Sequence, residues 1–232
     1  MIYNKKSKEE LFMDIEYNLF KRTSVDYEKL LKYGFKKNDD KYIYEKKFIN
    51  GDFKAIITIV DNYVTGKVID LETTDEYFAI KTIMNGSFVS KVRDEYLSIL
   101  FDIKEKCFEN KLFITDQANR IANFIMRKYQ VEPEFLWESS SGHGVFRNKV
   151  NNKWFGIIMN VDGMKFENKS GEVEVLNIKL DKLKIQDLLS NNGYFPAYHM
   201  NKKSWISIIL DEYLDDETII KLVSESYDQV NK

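Results

Sequence analysis

The chain has 232 residues, of which 44% are hydrophobic, 14% aromatic and 31% charged. That is too apolar for a disordered chain and long enough for two domains, each with its own core. Basic residues number 35 and acidic residues 37, and residues 1–114 hold 20 of each, so neither half carries the basic excess of a broad nucleic-acid binder. Any nucleic-acid contact must come from a local patch. Cys107 is the single cysteine, which excludes a disulfide framework and a Cys-based zinc site and suits a reducing cytoplasm. Residues 1–10 are polar and lysine-rich, with no apolar segment of the secretory kind. The longest apolar runs, such as residues 205–210, fall far short of the roughly 18 residues needed to span a bilayer. A cytoplasmic protein with no membrane association is expected.

The first helix is signalled by a capping box, Ser7 with Glu10, followed by Leu11, Ile15 and Leu19 at helical spacing. A short helix over residues 26–32 carries Tyr27, Leu30 and Leu31 and ends at Gly34. Three strands follow, over residues 42–48, 53–60 and 64–71, rich in alternating or β-branched residues. Asn50-Gly51 between the first two is a strong tight-hairpin signal, and Asp61-Asn62 a weaker turn. A long helix over residues 88–107 has one apolar stripe: Phe88, Val92, Tyr96, Ile99 or Leu100, Ile103 and Cys107. Cys107 is read as a small buried hydrophobe, because no histidine lies near it in sequence. The helix is expected to fray at Glu109, Asn110 and Lys111, which marks a domain boundary: residues 1–112, then 113–232.

The second part opens with a helix capped by Thr115 or Asp116 and striped by Ala118, Ile121, Ala122, Ile125, Met126 and Tyr129. Strands are expected at residues 135–137, 145–149, 154–161 and 172–179, with Trp137 and Trp154 as core residues. A helix from Asp181 carries Leu183, Leu188 and Leu189 and stops at Gly193. Residues 194–203 have no clean period and read as a loop. A strand over residues 204–210 precedes a last helix with Asp215, Asp216 and Glu217 in its first turn, where acids suit the positive helix end. The order of elements predicts an α+β fold: two α/β lobes, the second an antiparallel sheet with helices on one face.

Familiar catalytic chemistry is missing. Gly142 and Gly144 lack the third glycine of a phosphate-binding turn, and the two histidines, His143 and His199, lie in different segments. The run from Ser139 to Gly144 has no carboxylate placed behind His143, so it reads as a serine-rich turn. No enzyme, no cofactor and no metal site is expected.

The second part resembles the MmcQ/YjbR family. The residues that carry this are Asn152-Lys153-Trp154-Phe155, Val175-Leu176-Asn177-Ile178-Lys179, and above all the run from Gly193 through Tyr198-His199-Met200-Asn201-Lys202-Lys203-Ser204-Trp205. The resemblance covers residues 115–232; Ser204 stands where family members often have histidine. The first part looks like the extra domain of longer members, at residues 67–71 and 105–108. What the resemblance implies is a frataxin-like (CyaY-like) fold and a double-wing DNA-binding motif. Iron binding of the frataxin kind would need acids on the helix over residues 116–129, which carries Arg120, Arg127 and Lys128 instead.

Two readings of the signature segment stand side by side. In the functional one, Lys153, Lys202 and Lys203 neutralise phosphates, Asn201 pairs with a base edge, and Tyr198, His199 or Trp205 stacks. In the structural one, His199 and Asn201 satisfy a loop backbone, and Trp205 and Ile208 are core, on one face only if the strand runs regularly. The function expected is a non-enzymatic protein that binds DNA, weakly and salt-dependently, through this local surface. The alternative is a protein-interaction or small-ligand-binding domain using a cleft between the lobes.

Overall fold

The computed structural model describes residues 15–82, 86–166 and 169–231, and the chain divides into two compact units, Met1–Leu112 and Phe113–Lys232. The Ser7–Glu10 capping box and Leu11 lie outside the described residues. The fold is α+β, with antiparallel pairing in every sheet.

The first unit contains α1 (Ile15–Phe20), β1 (Thr23–Val25), α2 (Tyr27–Tyr33), β2 (Lys36–Asn38), β3 (Lys41–Phe48), β4 (Phe53–Val60), β5 (Tyr63–Asp70), α3 (Ser87–Cys107) and β6 (Phe108–Asn110). Strands β2 to β5 form a meander in sequence order. Period-2 alternation sends Phe53, Ala55, Ile57 and Ile59 of β4 and Val64 and Val68 of β5 into one core with Val92, Tyr96, Ile99, Leu100, Ile103 and Cys107 of α3. Gly66 shares that inner face because nothing larger fits: an added Cβ would lie 1.7 Å from the Tyr96 hydroxyl. That hydroxyl donates to the buried carboxylate of Glu16. Helix α2 starts at Asp26, whose carboxylate accepts from the amides of Glu28 and Lys29 at 3.0 Å, and stops at Gly34 with φ 117°.

Three expectations for this unit need correction. The tight turn is Asp61-Asn62, at φ 45° and 70° between the paired Val60 and Tyr63, while Asn50-Gly51 sits in a longer connection closed by Phe48 and Phe53. The physical reasons are visible: Ile49 is buried in that connection, and the Asn62 amide holds β1 by accepting from Val25 N (2.7 Å) and donating to Thr23 O (3.0 Å). Residues 108–110 do not fray but pair with β1, Val25 opposite Phe108. Phe88 and Leu31, read as stripe residues, are 52% and 51% exposed, because their helices are covered on only one side.

The second unit contains α4 (Asp116–Tyr129), β7 (Glu134–Phe135), β8 (Gly144–Arg147), β9 (Trp154–Asp162), β10 (Glu172–Lys179), α5 (Lys182–Leu188), β11 (Tyr194–Pro196), β12 (Trp205–Ile209) and α6 (Asp216–Asn231). Its six-stranded sheet has the order β11-β12-β10-β9-β8-β7. Helices α4 and α6 pack on each other and α6 on β9 and β10, with the Tyr129 and Tyr227 rings stacked at 3.9 Å and Phe155 edge-on to both. Buried Glu174 accepts from Ile114 N (2.8 Å), Thr115 N (2.7 Å) and Thr115 Oγ1 (2.8 Å), which fixes the start of α4 on the sheet.

Residues 194–203, read as loop, include β11, which adds an edge strand to β12. Trp137 is 37% exposed rather than core, its ring edge-on to Trp154 at 6.0 Å. Leu183 is 74% exposed, and Ile185 is the α5 residue that enters the core. The alternation of strand faces puts Trp205 and Ile208, three apart, on opposite sides of a strand buried on both.

Candidate functional site

The signature segment is held from below by two buried polar side chains that face each other across β10 and β12. Asn177 and Ser207 are direct cross-strand partners, both fully buried. The Ser207 hydroxyl donates to Asn177 Oδ1 and accepts from Tyr198 N at 2.9 Å, while Asn177 Nδ2 donates to Tyr198 O at 2.7 Å. Both backbone groups of Tyr198 are thereby satisfied inside the protein, a condition for burying them at all. The chain enters this point through Gly193 (φ 89°), where an added Cβ would lie 2.9 Å from the Tyr213 ring.

Beyond Tyr198 the backbone reverses. His199 takes a left-handed conformation, φ 55°, and its exposed ring lies 4.0 Å from the Tyr198 ring. Asn201 then builds the turn: its Oδ1 accepts from Lys203 N (3.0 Å), and its carbonyl accepts from Ser204 N (3.0 Å) and Trp205 N (2.9 Å). Lys202 and Lys203 occupy the tip and are exposed. Trp205 is 7% exposed and belongs to a core cluster with Val145, Ile157, Met159 and Ala197, against which Trp154, Tyr198 and Met200 pack.

Sharing one cluster brings distant stretches of sequence together. Lys153 is exposed and directly precedes Trp154; Lys202 and Lys203 lie between Met200 and Trp205. Lys179 joins them, because it is the cross-strand partner of Trp205 and so projects on the same face. Among the described residues, no carboxylate lies within ion-pair distance of Lys153, Lys179, Lys202 or Lys203. Arg147 differs: its guanidinium lies over the Trp154 ring at 5.3 Å and bonds Glu134 at 2.9 Å.

The expected site residues therefore separate by environment. Lys153, His199, Lys202 and Lys203 reach solvent; Asn201 reaches solvent with its oxygen already engaged; Tyr198 is half-buried, 5.9 Å from Phe166; Trp205 is core. Lys179 could have been found only from the register that sets it opposite Trp205. Asn177 and Ser207 carry no sequence signal beyond being polar residues inside apolar strands.

Other candidates take structural places. The His143 ring contacts the carbonyl of Asn160 at 3.1 Å through Nε2 and stands edge-on to Trp137. No group of three or more His, Cys, Asp or Glu among the described residues is arranged to hold a metal ion. Arg120 on α4 is locked between Asp216 (2.6 Å) and Glu212 (2.8 Å), and its guanidinium holds the Asp216 carboxyl below the ordinary range. No helix among the described residues is long and apolar enough to cross a membrane.

The YjbR family model matches residues 126–229. The chain is 35% identical over 109 residues to the uncharacterised protein YyaQ of Bacillus subtilis, covering 46% of this chain and 92% of that one. The chain belongs to the YjbR family. Among solved structures, a Pseudomonas syringae protein is 30% identical, with a TM-score of 0.46, over 47% of this chain and 95% of its own. A Deinococcus radiodurans protein with a DUF419 domain is 19% identical, with a TM-score of 0.37, over 50% of this chain and 78% of its own.

Proposed function

We propose that the second unit is a non-enzymatic module that binds DNA weakly, through phosphate contacts from Lys153, Lys202 and Lys203 with Lys179 beside them. The observation that carries this reading is the exposed turn at Lys202 and Lys203, whose ammonium groups face no carboxylate among the described residues while its backbone is pinned by Asn177 and Ser207. A fixed turn presents its charges at little entropic cost, and unpaired lysines displace counterions from phosphates. His199, with its ring outward on Tyr198, offers a surface for an unstacked base, and Asn201 offers its Nδ2 to a base edge. Trp205 supports the turn from the core.

A patch of this size engages about two to four phosphates, so log affinity should fall against log salt with a slope of roughly −2 to −4. Anisotropy titrations of a random-sequence duplex and a single strand, at two salt concentrations, measure it. Lys202→Ala with Lys203→Ala should flatten the slope by about one to two units and shift stability by less than about 0.5 kcal/mol. Salt-dependent binding that is missing in the wild type, or unchanged in the double variant, overturns the reading.

A further inference from the structure

The two larger sheets differ in how their second faces are treated. Strands β10 and β12 of the second unit are buried on both sides. In the first unit, β4 alternates strictly between buried and half-buried residues, so its outer face is only half-buried among the described residues. Register defines that face. Across it run Lys36, Ile43, Thr58 and Thr65 in one row, Glu45, Ile56 and Lys67 in the next, and Lys47, Lys54 and Ile69 in a third. Lys41 of β3 alternates onto the same side.

Two features stand out in this arrangement. Ile43, Ile56 and Ile69 step one strand and one row at a time, making a half-buried apolar diagonal. With strands about 4.8 Å apart and rows about 6.7 Å apart, it runs roughly 16 Å, about three turns of a helix. Around it stand five lysines, Lys36, Lys41, Lys47, Lys54 and Lys67, against two acids, Glu45 and Glu76, the latter bridged to Ile69. Glu45 pairs with Lys54 at 3.2 Å and Glu76 reaches Lys67 at 3.9 Å, while Lys36, Lys41 and Lys47 face no carboxylate within ion-pair distance among the described residues. The first half of the chain is neutral overall, so this face concentrates a positive charge that composition conceals.

We infer that this face docks an acidic amphipathic segment of a partner protein, apolar residues on the isoleucine diagonal and carboxylates on the lysines around it. A second copy of this chain is disfavoured, since it would set lysines against lysines. A nucleic acid would meet the lysines but leave the diagonal without apolar partners, and among the described strand residues Tyr63 is the one aromatic of the outer face available to stack. An anionic bilayer is disfavoured because the isoleucines lie below the lysine heads and cannot reach acyl chains. Only an acidic segment with its own apolar stripe satisfies both features.

The test uses the full chain and a fluorescein-labelled 20-residue peptide with leucines at helical i, i+3, i+4, i+7 spacing and glutamates elsewhere. Anisotropy should show saturable binding that weakens with salt, at least about tenfold tighter than for a scrambled peptide of the same composition. Lys47→Glu with Lys54→Glu should weaken it by about tenfold or more, and Ile56→Ser by about threefold or more, with circular dichroism unchanged. Lys202→Ala with Lys203→Ala should leave it untouched, which keeps this test separate from DNA binding by the second unit. Equal binding of the scrambled peptide, no binding, or no effect of the first-unit variants overturns the inference. So does displacement of the peptide by a 20-nucleotide single strand or by phosphatidylserine vesicles, which would assign the face to nucleic acid or lipid.

Discussion

Cys107 shows how much a single residue's fate follows from spacing. It is the last position of the α3 stripe, fully buried, with its thiol directed at the Lys29 carbonyl at 3.8 Å. Burial pushes the thiol up from 9.0 to about 11. Folding therefore favours the protonated form: this contribution to stability is complete below pH 9 and is lost as pH rises towards 11. At pH 8 the native thiolate population should be about a hundredfold smaller than in the unfolded chain. Ellman's reagent should label native protein slowly and denatured protein at once; fast native labelling would show an open site. The stripe was legible because every third or fourth residue is apolar. Trp137 was not, because an aromatic residue beginning a strand does not reveal which side its ring takes, and here it lies against the Trp154 edge.

At the level of elements, alternation and capping residues made the strands and helices readable, with β10 and α3 placed nearly to the residue. What could not be read was register, and the candidate site depends on register. Asn177 meets Ser207 only because β10 and β12 pair with Ile178 opposite Ile206, and that one match pins Tyr198 and presents Lys202 and Lys203. Asn177→Ala should cost about 1–3 kcal/mol, because it leaves the Ser207 hydroxyl and the Tyr198 carbonyl short of partners in a buried place. Ser207→Ala should cost a similar amount, and the double variant clearly less than the sum, since the groups form one network. Urea midpoints give all three values. Strictly additive losses, each under about 0.5 kcal/mol, would mean that the segment is held by its apolar contacts alone. The inverted turns teach the same lesson, since Asn62 is chosen for its bonds to β1 as much as for its backbone freedom.

At the level of the whole molecule, composition averages away what the folded surface separates. Near-neutral charge argues against broad nucleic-acid binding, yet it hides two lysine surfaces, one at the Lys202 turn and one on the outer face of β2 to β5. Each unit also has its own sheet and its own buried cluster, with the division falling between Leu112 and Phe113. A core of that kind should make the second unit an independent folding domain. Residues 113–232, expressed alone, should unfold cooperatively in urea, with an m-value of about 1–3 kcal/mol/M as for other small domains. Because Lys153, Lys179, Lys202 and Lys203 all belong to it, the fragment should keep the DNA salt slope of the full chain within about half a unit. It should also lose all affinity for the leucine–glutamate peptide, whose lysines and isoleucines it lacks. A fragment that unfolds without a transition would place part of its core in the first unit. A fragment that folds but loses the salt slope would place some of the DNA contacts there.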